Sequence, residues 1–97
     1  MDKLSLTLFI TGQTMRSRSA VQNLQTLFEE IGGERYELSI IDVLEHPQLA
    51  EDEKIIATPT LVKTRPLPVR RIVEDLTSKT QVLKWLDIEG ALEYEIE

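Results

Sequence analysis

The sequence predicts an α/β domain built around a parallel strand–helix–strand crossover, and three observations carry that expectation. Leu4, Leu6, Leu8 and Ile10 alternate with Ser5, Thr7 and Thr11, a period of two that belongs to a strand, with Phe9 on its second face. Val21, Leu24, Leu27, Phe28 and Ile31 then recur at helical spacing and mark one apolar stripe. From Tyr36 to Leu44 the chain is again apolar and rich in Ile and Val. Two parallel strands need a long connection, and a helix of this length returning to the same sheet gives a right-handed crossover.

Taken in order, Gly12-Gln13-Thr14 breaks the first strand pattern. Ser19 and Gln22 have the spacing of a capping box, and Gly32-Gly33 is the expected stop of the helix. The segment Tyr36 to Leu44 lacks the polar alternation of a half-exposed edge, so a central strand covered on both faces is expected there. Pro47 suits the first turn of a short helix reaching Lys54, because the missing N–H is not needed at that position. Beyond it the pattern supports two readings. Val69, Ile72, Val73 and Leu76 fit helix spacing, while Val69 to Val73 also reads as a short strand. Ser78 and Gln81 are spaced as a second capping box before Val82, Leu83 and Leu86, yet Thr80 to Leu86 could equally extend.

The 97 residues suit one domain, placed at residues 1–86, followed by an acidic C-terminal tail, 87–97, with five acids and no base. A composition 41% hydrophobic and 29% charged belongs to a folding chain rather than a disordered one. Chains this short often bury a modest core, so a homo-oligomer, dimer or tetramer, is an expectation. Eleven Lys and Arg against 17 Asp and Glu give a net charge of −6, which argues against nucleic acid as a partner. No apolar run is long enough to cross a bilayer, and the N-terminus lacks a signal-peptide core, so no membrane and a cytoplasmic location are expected. With no cysteine and a single histidine, His46, thiolate chemistry is impossible and a zinc site or other cofactor is not expected. Asp42 resembles a catalytic acid only in isolation, and capping the next turn explains it.

The order strand, helix, strand, helix, then Ala57-Thr58-Pro59-Thr60-Leu61-Val62, resembles a thioredoxin-like domain, in which a cis proline precedes the third strand. The loop that holds reactive cysteines in redox members of that fold is here Gly12-Gln13-Thr14-Met15-Arg16. Four ordered stretches are more specific. Leu8 to Thr14 (LFITGQT), Ile41 to Glu51 (IDVLEHPQLAE), Lys54 to Leu61 (KIIATPTL) and Pro68 to Ile72 (PVRRI) are similar to successive signatures of the KaiB family, over about Leu4 to Leu86. The Gly-Gln-Thr loop looks closer to relatives outside the core cyanobacterial clock.

That resemblance implies a thioredoxin-like fold of order βαβαββα, and an alternative fold of order βαββααβ made by refolding the second half. Pro59, Pro66, Pro68 and Trp85 fall in the stretch it marks for the change. It also implies a KaiC-like ATPase as partner, a histidine kinase competing for the same site, and regulation instead of catalysis. Lys54, Lys63, Arg65, Arg70 and Arg71 are the only charges from Lys54 to Val73, and Arg16 and Arg18 near the first loop could extend that basic surface. Such a surface steers an acidic partner, although charge runs are most often solvated faces. Two rivals stand beside this reading. One is a sensor-type thioredoxin-like module with another client, similar to the sensor domain of KaiC-dependent histidine kinases; the other is a cysteine-free enzyme using Ser17 or Ser19 in place of the thiol.

Overall fold

A computed structural model of the chain describes residues 4–31, 36–65, 67–73, 76–77 and 79–86. The elements run β1 (Leu4–Ile10), α1 (Met15–Ile31), β2 (Tyr36–Asp42), α2 (Pro47–Asp52), β3 (Thr60–Arg65), β4 (Arg70–Val73) and α3 (Lys79–Leu86). They form one four-stranded sheet in the order β2-β1-β3-β4. β1 pairs parallel with β2 from Leu4↔Tyr36 to Ile10↔Asp42, and antiparallel with β3 through Leu8↔Leu61. The order βαβαββα is therefore the thioredoxin-like one, with the third strand preceded by a cis Thr58–Pro59 bond.

Period two sorts the strand residues onto two faces. On one, Leu4, Leu6, Leu8 and Leu61 meet Ala20, Leu24, Leu27 and Phe28 of α1, together with Leu76 and Val82, in a single buried cluster. Leu8, Leu24 and Leu61 are fully shielded from solvent, and each contributes about 2 kcal/mol by leaving water. Phe28 also stacks on Tyr36 at 4.4 Å, joining the end of α1 to the start of β2. The second face buries Phe9 and Val62, and the short α2 contributes the buried Ala50.

Three expectations are corrected and one double reading is resolved. The helix α1 begins at Met15, four residues before Ser19: the Thr14 hydroxyl accepts the Ser17 N–H at 3.3 Å, so Thr14 is the cap and the Ser19/Gln22 spacing has no such role. The strand β2 is an edge, not a central strand, and ends at Asp42; it alternates between half-buried and exposed residues, with Ile40 uncovered. Tyr36 and Leu38 pack against the core, Glu37 and Ser39 take the exposed alternate positions, and the adjacent Ile40 and Ile41 fall on opposite faces. The helix α2 stops at Asp52 instead of Lys54. There Lys54 adopts φ 55°, its N–H donates to Glu51 O at 3.0 Å and the Ile55 N–H to Ala50 O at 2.9 Å, a left-handed helix stop in which lysine occupies the usual glycine position. Last, the double reading of the second half resolves as strand for Arg70–Val73 and helix for Lys79–Leu86. Gly32-Gly33, Pro66, Ser78 and the tail 87–97 lie outside the described residues.

Candidate functional site

The ends of three segments converge where β1 runs into α1. Gly12 takes φ 50° in the turn, and a Cβ there would sit 3.3 Å from Leu44 Cδ1. One carboxylate then ties two loops together: Asp42 Oδ1 accepts the Gly12 N–H at 3.1 Å and the Leu44 N–H at 2.9 Å. The capping role expected of Asp42 is thus observed, with a second bond reaching back to β1. A hydroxyl chain completes the site. The buried Ser17 Oγ accepts the Thr11 N–H at 3.0 Å, and the Thr11 hydroxyl bonds that of Thr58, immediately before the cis Pro59. The corner that carries thiols in redox proteins of this fold is here a closed set of hydrogen bonds.

Beside the corner lies a groove of about 360 Å³, floored by Ile10, Val21 and Ile40 and rimmed by Gln13, Arg18 and Gln22. The rim follows from helical geometry, since Arg18, Gln22 and Gln25 recur at intervals of four and three and share one face of α1. This groove was not foreseen in the sequence, although that row and the Thr/Ser residues flanking Gly12 were its readable signals.

The seven cations do not share one face. Arg16 and Arg18 are exposed on the first turn of α1. Lys63 is only 2% exposed, because its register with Leu6 turns it toward the main core. Arg70, paired with Lys63, lies on that same face and donates to the Trp85 carbonyl at 3.2 Å, satisfying the end of α3. Arg71 points to the opposite face, donates to the Lys54 carbonyl at 3.4 Å and stands 3.8 Å from the Glu53 carboxylate. Arg65 is exposed at the end of β3. The structure thus joins Arg71 to the Lys54 backbone and sets it on the face of the sheet opposite to Arg70. Trp85 is half-buried, and its Nε1–H donates to the Arg71 carbonyl at 3.0 Å. Pro68, like Pro59, follows a cis bond, while Ser17 is held in the core rather than presented as a nucleophile.

The description "KaiB domain" belongs to the family whose model matches residues 7–88. The chain is a member of the KaiB family. Its similarity to the circadian clock protein KaiB3 of Synechocystis sp. is 47% identity over 88 residues, covering 91% of this chain and 86% of that protein. The circadian clock oscillator protein KaiB of Synechococcus elongatus is 48% identical over 83 residues, covering 86% and 81%. Among solved structures, the N-terminal domain of Synechococcus elongatus SasA superposes with a TM-score of 0.71 at 26% identity, covering 93% of this chain and 90% of that one. Chloroplastic thioredoxin z gives 0.74 at 23% identity over 96% and 80%, a likeness of fold alone. No helix among the described residues is long and apolar enough to cross a membrane.

Proposed function

We propose that this KaiB-family chain is a clock-type regulator that acts by binding a KaiC-like ATPase and modulating its phosphorylation or signalling output, without catalysis of its own. The observation that supports this most is the 47% identity to a circadian clock protein over 91% of the chain. The closed hydroxyl and carboxylate corner in place of a thiol pair agrees with a binding role. We assign first contact to the loop at Gly12, the exposed Arg16 and Arg18, and the groove beside them; these steer an acidic surface and fix its register. Arg65, Lys54 and Arg71 form further contacts around the sheet edge, while the buried Lys63 and the Trp85-bound Arg70 support the strand from within.

The test is light scattering on a sizing column with a KaiC-like ATPase and ATP. A complex that is lost in R16E/R18E while the fold is retained supports the reading, and absence of any complex under ATP-hydrolysing conditions overturns it. The likeness to the SasA domain favours a second reading, a sensor-type module that meets its client through the same thioredoxin-like face. Under the first reading a histidine kinase competes for the same site on the ATPase; under the second this chain binds a different client and leaves that competition unchanged. The alternative fold and a dimer or tetramer belong to the same proposal. A second set of amide signals for Val69 to Leu86 and a concentration-dependent mass are their readouts.

A further inference from the structure

The sheet has two open edges, and the sequence treats them differently. β4 is guarded: it is four residues long, starts two residues after Pro68, carries Arg70 and Arg71, and has its Arg71 carbonyl taken by the Trp85 indole. β2 lacks these devices. Its seven residues pair with β1 from end to end in one unbroken register, and Tyr36 to Asp42 contains no proline, lysine or arginine. Its two acids, Glu37 and Asp42, stand toward the ends, and Asp42 is already bonded to Gly12 and Leu44. No described strand lies on the outer side of β2, and its Ile40 is 40% exposed. Such an edge is a template for another strand.

The helix on the same face carries a matching row. Arg18, Gln22 and Gln25 line the groove with Ile40, and the same intervals of four and three lead next to Glu29. All four are exposed. Along α1 this row runs from a cation through two amides to an acid, and its order is self-complementary: turned end for end, Arg18 falls on Glu29 and Gln22 on Gln25. A two-fold axis perpendicular to the sheet turns it in that way. The strand has the same property. With the axis at Ser39, an antiparallel pair of β2 strands sets Leu38 opposite Ile40, Glu37 opposite Ile41 and Tyr36 opposite Asp42, so that apolar residues meet on the α1 face and no two acids stand opposite each other. The two centres coincide, since Ile40, next to Ser39, shares the groove with both Gln22 and Gln25.

We infer that two copies of this chain join edge to edge through β2, making one eight-stranded sheet from two four-stranded ones, with the α1 helices antiparallel on one face and an Arg18–Glu29 pair at each end of the seam. The contact closes on itself and leaves the guarded β4 strands as the outer edges. It covers Ile40 and shuts the open side of the groove. The inference is independent of the partner proposed above.

The chain alone is the sample, so failure here leaves the ATPase proposal standing. Light scattering on a sizing column should give a mass that rises with concentration toward twice that of one chain. R18E and E29R should each weaken the association by about tenfold, because either reversal sets like charges together at both ends of the seam, and R18E/E29R should restore it. A merely structural role for either residue would not give that rescue. Position is read by oxidative cross-linking, which the absence of cysteine makes specific. S39C carries its thiol on the axis, within reach of its own copy, and should cross-link; E37C, displaced from its own copy by about 14 Å along the strand, should not. A mass that stays at one chain at every concentration, a double reversal as weak as the single ones, or cross-linking of E37C in preference to S39C would each overturn the inference. So would a monomer whose β2 amide signals move only when another protein is added, since the edge would then have a different occupant.

Discussion

The two halves of the molecule are held by different forces. Up to Asp52, β1 and α1 bury Leu4, Leu6, Leu8, Ala20, Leu24, Leu27 and Phe28 in one cluster. Beyond Arg65, the described side chains that enter the cluster are Leu76 and Val82, with Ile72 and Trp85 packed against it. The attachment of α3 to β4 runs instead through reciprocal bonds, Arg70 to the Trp85 carbonyl and Trp85 to the Arg71 carbonyl. A half held by burial opens only when the whole domain opens. One held by fewer buried side chains and a pair of side-chain bonds can detach by itself, and it is the half in which a rearrangement costs least. Free-energy changes in the first half should therefore appear everywhere at once, and those in the second half locally.

The largest effect expected from this contrast is at Leu24, which is fully buried in the middle of α1. L24A removes three carbons from a closed core and should lower global stability by about 3 kcal/mol, within the usual range for such cavities. In urea the midpoint should fall at unchanged slope, and amide exchange should accelerate in both halves. Protection lost only around α1 would break the contrast.

W85A comes next. It removes a half-buried ring and the donor to the Arg71 carbonyl, for a total of about 2 kcal/mol. The expected signature is local: faster exchange from Lys79 to Leu86 and over β4, with Leu6 and Leu24 amides unaffected below the global limit. W85F keeps a smaller aromatic ring while dropping the bond and should show an effect between that of the bond alone, about 1 kcal/mol, and that of W85A.

What could be read from the sequence follows the same division. β1 and α1 were legible because each repeats its period several times, over seven and seventeen residues. β4 has four residues, too few to separate a period of two from one of 3.6, so Val69 to Leu86 supported both readings until tertiary packing chose between them. β2 looked central because Ile40, Ile41, Val43 and Leu44 are consecutive or nearly so. Yet Ile40 and Leu44 are 40% and 69% exposed, and uncovered apolar residues are indistinguishable in sequence from covered ones. The start of α1 was misplaced because Ser19 and Gln22 share the spacing of a cap, while Thr14 caps with no acidic partner three residues on. At the site, the cations were visible as composition but their faces were not. Arg70 and Arg71 are neighbours in a strand and must point apart, a consequence available only once the strand reading is chosen.

A third, smaller effect tests the corner that joins the first-half loops. D42A orphans the Gly12 and Leu44 N–H groups, both near the surface, where water recovers part of the loss; a cost of about 1.5 kcal/mol follows. D42N keeps an acceptor oxygen and should cost less than half of that. Because Asp42 ties β1 to the turn after β2, the loss should be global, like that of L24A and unlike that of W85A. A change confined to the turn at Val43 to Glu45 would show that the carboxylate serves only as a cap.

The smallest effect has the opposite sign and lies on the boundary between the halves. Lys54 closes α2 with φ 55°, where any side chain beyond glycine suffers from its own Cβ, by roughly 1 kcal/mol. K54G relieves that strain but gives the unfolded chain more freedom, so the net gain should be about 0.5 kcal/mol, read as a slightly higher urea midpoint. The bonds that Lys54 makes through its backbone, from its N–H to Glu51 and to its carbonyl from Arg71, survive the change. What disappears is the ammonium. Stability that rises while binding of an acidic partner weakens would place the reason for lysine here in recognition; stability that falls would show that its side chain helps hold the second half against the first.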